Sequence, residues 1–335
     1  MTRRLRLTAV AAAALFALTA CGSGSTSGGG EPPVEQAGSD ASGGLTPIEV
    51  GVIPIVDVAS IYLGVDEGIF EKHGLDVNLT LAQGGAAIVP AVQSGQMDFG
   101  FSNVASIIIG RDAGLPLKIV ATGPQSTGNG GDDAAAVMVP GDSEIQEVAD
   151  LEGHSVAVNT LNNINHATMF EGIRQAGGDP GAVEFTEVGF PDMVSQMEAG
   201  NVDAITAVEP FVSMAEQGGA RNIYGFFAEP VQDLSVSGYF TTDEMLEQDP
   251  ELVEAFTSAM KESQQYATDH PDEAKAILSD YTSIDAETVE ELTMPNFPQL
   301  HNIASLERMS EILQEMGLID EVPATSDLIL DGAGQ

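Results

Sequence analysis

The sequence predicts an α/β protein of two doubly wound lobes, and three observations carry that reading. From Ile48 onward, short apolar β-rich runs alternate with helical stretches. The alternation restarts near Ala134, and one segment recurs at a constant offset of 105 residues. Alternation of this kind argues for mostly parallel sheets covered by helices on both faces. In the recurring segment, Ser94-Gly95-Gln96-Met97-Asp98-Phe99 lines up with Ala199-Gly200-Asn201-Val202-Asp203-Ala204, with Gly84 matching Gly189 upstream. Both copies read helix, glycine, polar residue, apolar residue, Asp, strand, as two similarly built units would. A ligand between two such lobes is the natural arrangement.

The elements follow in order. Ile48 to Ile55 reads as a strand and Val58 to Glu71 as a helix, then Leu75 to Leu81 as the second strand. Gly84-Gly85 opens a helix to about Ser94. Strand Met97 to Phe101, helix Val104 to Asp112 and strand Leu117 to Ala121 complete the first run. The second run has strands at Ala134 to Val139, Ser155 to Asn159, Val183 to Val188, Val202 to Ala207 and Asn222 to Phe227. A short helix at Val148 to Gly153 and a longer one at Ile164 to Gln175 lie among them. Beyond Thr241 the pattern is helical: Asp243 to His270, Asp272 to Ser279, Asp285 to Leu292 and Ser305 to Met316.

The first 21 residues carry an address. Arg3, Arg4 and Arg6 precede an apolar run from Ala9 to Ala20, and the run ends Leu18-Thr19-Ala20-Cys21. A basic start, a short apolar stretch and small residues before the cut make a secretory signal. The run is too short for a spanning helix, which needs about 20 residues. Leu-Thr-Ala-Cys resembles a bacterial lipobox, so residues 1–20 are expected to be removed and Cys21 acylated. Dual acylation anchors stably where a single chain does not. Residues 21–47, rich in Gly, Ser and Pro, read as a flexible linker with a reach on the order of 30 Å.

Composition narrows the function. The remaining stretch of about 290 residues is long enough for two domains. Cys21 is the one cysteine of the chain, so the folded body has no disulfide, thiol nucleophile or cysteine metal site. The net charge is −40, and removing the signal's three arginines deepens it. Nucleic acid and anionic lipid surfaces are therefore poor partners, and the acidity reads as a solvated surface. His73, His154, His270 and His301 show no metal-ligand spacing, and no cofactor or metal is expected.

Several segments resemble one family across nearly the whole body. They are Pro54-Ile55-Val56-Asp57-Val58-Ala59-Ser60-Ile61-Tyr62-Leu63-Gly64 with Glu67-Gly68-Ile69-Phe70, and Asp150-Leu151-Glu152-Gly153-His154-Ser155-Val156. The two Gly-x-x-Asp segments and Glu209-Pro210-Phe211 fit as well. The resemblance is to the nitrate/sulfonate/taurine group of ABC-importer substrate-binding proteins, which includes thiamine-pyrimidine binders. It implies a periplasmic-binding-protein-like fold of type II, with two lobes joined by a two-segment hinge and a ligand cleft between them. On that basis residues 48–137 and 237–335 form the first lobe and 138–236 the second, with crossings near Ala136 to Pro140 and Val236 to Thr241. The implied partners are a permease and ATPase, and the expected state is a monomer outside the membrane.

In open α/β sheets ligands bind outside the carboxyl ends of the strands. That rule selects Asp57, Ala59 and Ser60, then Gly84 and Gly85, Ser102 and Asn103, and Thr122 in the first lobe. In the second it selects the stretch Asn159 to His166, with Asn159, Asn163 and His166 as its contacts, then Gly189 and Phe190, and Glu209. Ser102 and Asn103 read equally as caps of the following helix. No Arg or Lys falls in these loops, so a bare anion lacks the guanidinium fork it would call for. Asp57 and Glu209 instead offer acceptors to N–H groups, and Tyr62, Phe190 or Phe211 could stack on a ring. The favoured solute is a small nitrogen-bearing organic molecule, taurine-like or an aminopyrimidine. A sensor lipoprotein is the alternative of another class. A pyrimidine-synthase-like enzyme is another, although the cysteine cluster of those enzymes is missing here.

Overall fold

The structure, a computed structural model, describes residues 44–334 apart from 83 and 283. The signal segment, Cys21 and the linker up to residue 43 lie outside the described residues. In chain order the first run is β1 (Thr46–Val52), α1 (Ala59–Asp66), α2 (Ile69–Lys72), β2 (Leu75–Leu81), α3 (Gly85–Gln93), β3 (Phe99–Asn103), α4 (Val104–Asp112) and β4 (Leu117–Thr122). The second is β5 (Ala135–Val139), β6 (Ser155–Val158), α5 (Ile164–Gln175), β7 (Glu184–Glu187), α6 (Phe190–Glu198), β8 (Ala204–Val208), α7 (Phe211–Gln217) and β9 (Arg221–Tyr224). The chain then returns through β10 (Ser237–Thr242), α8 (Asp243–Gln248), α9 (Pro250–Asp269), α10 (Pro271–Ala276), α11 (Leu278–Tyr281), α12 (Ala286–Glu291), α13 (Ile303–Glu315) and α14 (Thr325–Leu328).

Several boundaries differ from the sequence reading for local reasons. β1 starts at Thr46, inside the expected linker, and stops at Val52, which leaves Ile53 to Ile55 as a loop. The expected helix over Val58 to Glu71 is broken, because Gly68 adopts φ +63°, a left-handed conformation that suits glycine. The expected helix Asp243 to His270 splits at Asp249-Pro250, where proline opens a new helix capped by the Asp249 side chain.

Strand order is β2-β1-β3-β10-β4 in one sheet and β7-β6-β8-β5-β9 in the other, the same plan twice. The sheets are mixed rather than mostly parallel. β10 runs antiparallel to β3 and β4, and β5 antiparallel to β8 and β9. Each antiparallel strand belongs to a segment that has just crossed from the other lobe and enters its new sheet from the opposite direction. The repeated aspartates have matching jobs. Asp98 accepts from the backbone N–H of Glu49 on β1, and Asp203 from that of Ser155 at the start of β6, both at 2.8 Å.

The crossings lie at residues 123–134 and 225–236, ahead of the segments the sequence reading chose. Ala135 to Val139 and Ser237 to Thr241 are instead buried sheet strands. The two crossings run antiparallel and bond to each other, Ser126 N–H to the Leu234 carbonyl at 3.0 Å and Val236 N–H to that of Pro124 at 3.0 Å. They approach closely elsewhere too: a Cβ on Gly225 would fall on the backbone of Gly130. The C-terminal helices pack on the first lobe. Phe256 of α9 stacks on Phe99 of β3 with centroids 3.9 Å apart, and α9 also covers α1 and β4.

Candidate functional site

Between the lobes, where the parallel strands end, lies a cavity of about 30 Å³. Ile53, Ile55 and Asp57 enter it from the loop after β1, with Phe101 and Asn103 from the end of β3. Asn159, Asn163, Ile164 and Asn165 come from the loop after β6 and the start of α5, Phe190 from the start of α6, and Val208 from the end of β8. Phe227, Val236 and Ser237 close it from the crossing side. Its volume holds about two ordered waters or a group of a few atoms.

Asp57 is the one ionisable group among the described residues that line the cavity. It is 5% exposed and meets the Ser237 hydroxyl, which donates to Oδ2 at 3.4 Å. Burial pushes its carboxyl up to about 7. The Ser237 bond works against that, and the nearby Asp133 carboxylate adds to it. Burial also raises Asp133, whose Oδ1 accepts from Thr127 N–H while Oδ2 is buried with no protein partner. The asparagines are preset by local structure. Asn103 and Asn163 cap α4 and α5 through their side-chain oxygens, and Asn163 Nδ2 donates to Asn159 Oδ1 at 2.6 Å. With those oxygens engaged, the Asp57 carboxylate is the strongest acceptor the cavity presents.

Of the residues the sequence selects, the structure brings Asp57, Asn103, Asn159, Asn163 and Phe190 to the cavity. Ala59 and Ser60 are buried in α1 behind Asp57, and Tyr62 stacks on Tyr281 with centroids 3.9 Å apart. Gly85 sits against the buried Ser102 hydroxyl, and Gly84 faces Thr160 across the gap between the lobes. Thr122 is turned away and donates to the Pro298 carbonyl at 2.5 Å. His166 packs on Phe185 and accepts from Asn162 N–H, and burial lowers its pKa. Phe211 lies beyond Phe190 in an outer compartment.

Glu209 lies off the cavity, and its carboxylate is occupied. It accepts from Ser213 N–H at 3.0 Å, the Ser213 hydroxyl at 2.9 Å and Thr293 N–H at 3.2 Å, while its own carbonyl accepts from Val56 N–H at 3.0 Å. Burial raises it to about 6 against those three bonds, with the Glu216 charge adding to the rise. Glu209 therefore clasps the second lobe to the loop after β1 and to the C-terminal segment.

Sequence reasoning passed over Ile53, Ile55, Phe101, Val208, Phe227, Val236 and Ser237, while the stretch Asn159 to His166 that it selected takes in Ile164 and Asn165, both of which line the cavity. Apolar residues at strand ends read as core, so they gave no signal. Ser237 begins an antiparallel strand, and the rule that looks to carboxyl ends cannot find it.

Residues 55–274 match the family model described as NMT1/THI5 like. The chain is 22% identical over 259 residues to the formylaminopyrimidine-binding protein of Halalkalibacterium halodurans, covering 76% of this chain and 73% of that one. It is 30% identical over 138 residues to a putative aliphatic sulfonates-binding protein of Escherichia coli K12, covering 41% of each. For several such curated relatives, the chain spans less than two thirds of their length. The alkanesulfonate-binding protein SsuA of Xanthomonas axonopodis pv. citri, solved with bound MOPS, superposes with a TM-score of 0.71 at 15% identity, over 86% of this chain and 99% of that one.

Proposed function

The chain belongs to the NMT1/THI5-like family, and from that premise we propose that it is an extracytoplasmic solute-binding protein of an ABC importer. It captures a small nitrogen-bearing organic solute between its lobes, without covalent chemistry, and delivers it to a permease and ATPase. Relatives named for formylaminopyrimidine and sulfonate binding support the class, and their names describe binding proteins rather than enzymes. Leu18-Thr19-Ala20-Cys21 supports a lipid anchor on Cys21. Among the described residues, no helix is long and apolar enough to cross a membrane.

One observation carries the solute class: a buried carboxylate, Asp57, in a cavity whose described lining holds no Arg, Lys or His. A bare sulfonate or nitrate would meet that carboxylate with no cation to offset it. A group offering N–H, as in an aminopyrimidine or an amino-sulfonate, pairs with it and lifts the cost of leaving it buried alone. The test is a thermal-shift screen of amines, amino-sulfonates, aminopyrimidines and bare alkanesulfonates. N–H-bearing solutes should stabilise by RT ln(1 + [L]/Kd), about 2.7 kcal/mol at a hundredfold excess over Kd. Shifts from bare anions alone would contradict the reading.

A further inference from the structure

Resting on that reading, we infer that the solute is amphipathic: an amine head fills the inner cavity, and an apolar tail lies in a larger compartment at its mouth. The inner cavity, about 30 Å³, has room for a small head group. The outer compartment is about 370 Å³ and shares Ile53, Ile55 and Phe190 with the inner one. That is the size range of small-molecule sites, so the bulk of the solute belongs there.

Its walls are apolar and come from both lobes. Pro54 and Leu81 face it from the first lobe, and Phe190, Pro191 and Phe211 from the second. The Phe190 and Phe211 rings lie parallel within 7°, their centroids 6.0 Å apart. Leu81 is 50% exposed, an apolar side chain left at the rim for a tail to cover. The ionisable residues of the two linings are Asp57 and Asp192, both acids, so each compartment disfavours an anion and accepts a cationic head. A tail touching both lobes removes apolar surface from water on either side and so favours their closure.

Calorimetry with ethylamine, butylamine and hexylamine beside ethane-, butane- and hexanesulfonate tests this. Amine affinity should rise about fourfold per added methylene, and the sulfonates should give no binding heat. Leu81→Ser, at an exposed position that leaves the core intact, should reduce the gain from butylamine to hexylamine. Amines that bind equally at every length would overturn the tail compartment and leave the N–H head reading standing. Sulfonates that bind with rising length, while amines do not, would overturn the amine head. Binding by neither series would overturn both.

Discussion

Asp57→Asn is expected to weaken capture of an N–H-bearing solute about ten- to hundredfold while making the empty protein more stable at pH 8. A hydrogen bond to a charged group contributes roughly 1.5–3 kcal/mol, and the amide keeps the shape but not the charge. The stability effect follows from burial, which lifts the carboxyl from its ordinary 3.8 to about 7. Below that ordinary value, folded and unfolded chains both hold the proton. Between it and about 7 the folded chain keeps a proton that the unfolded chain has released, so stability falls as pH rises through this window. At pH 8 the folded state carries the whole cost, on the order of 4 kcal/mol. Calorimetric melts should therefore show the variant gaining about 4–8 °C at pH 8 and almost nothing at pH 4. Equal melting temperatures for variant and parent at both pH values would contradict the burial argument.

Arg308→Met should cost about 3 kcal/mol of stability, read as a lower urea midpoint at pH 7. Glu171 of α5 is 2% exposed and accepts from Arg308 Nη2 at 2.8 Å, Arg174 Nη2 at 2.6 Å and Gln175 Nε2 at 2.6 Å. Burial raises its carboxyl, but hydrogen bonds from Gln175, Arg308 and Arg174 and the Arg308 charge outweigh that and hold it low. A lowered carboxylate adds stability above its ordinary pKa and loses it as pH falls through the depressed value. Arg308 stands on α13, which packs on α4 of the first lobe and α5 of the second, so the pair also joins the lobes. Removing Arg308 leaves a buried charge partly unpaired. Pairing the change with Glu171→Gln should recover part of the loss, and strictly additive losses would show that the two residues are not coupled.

The doubling of the fold was legible because it rests on periodicity, and the Asp98 and Asp203 echo proved to mark equivalent points in both sheets. Strand direction was not legible, since composition is blind to whether a strand runs with or against its neighbours. That blindness hid β10, moved the crossings and concealed Ser237. Site residues that also cap helices, such as Asn103 and Asn163, could be found because capping is a local signal. Glu209 looked like a ligand acceptor at a strand end, but its carboxylate is taken up by Ser213, four residues on, and by Thr293, 84 residues away in the chain. Only tertiary contact reveals such a partner. The walls built from Ile53, Phe101 and Val208 share the chemistry of the core and differ from it only in place.

On the proposed function, the lobes close on a solute whose N–H group meets Asp57. The most direct measurement is a crystal structure of the protein with the solute found by the thermal screen. A solute nitrogen is expected about 2.7–3.2 Å from an Asp57 carboxylate oxygen, within a cavity lined by both lobes. A solute held by an anionic group elsewhere in the cleft, with no nitrogen within hydrogen-bond reach of Asp57, would contradict it.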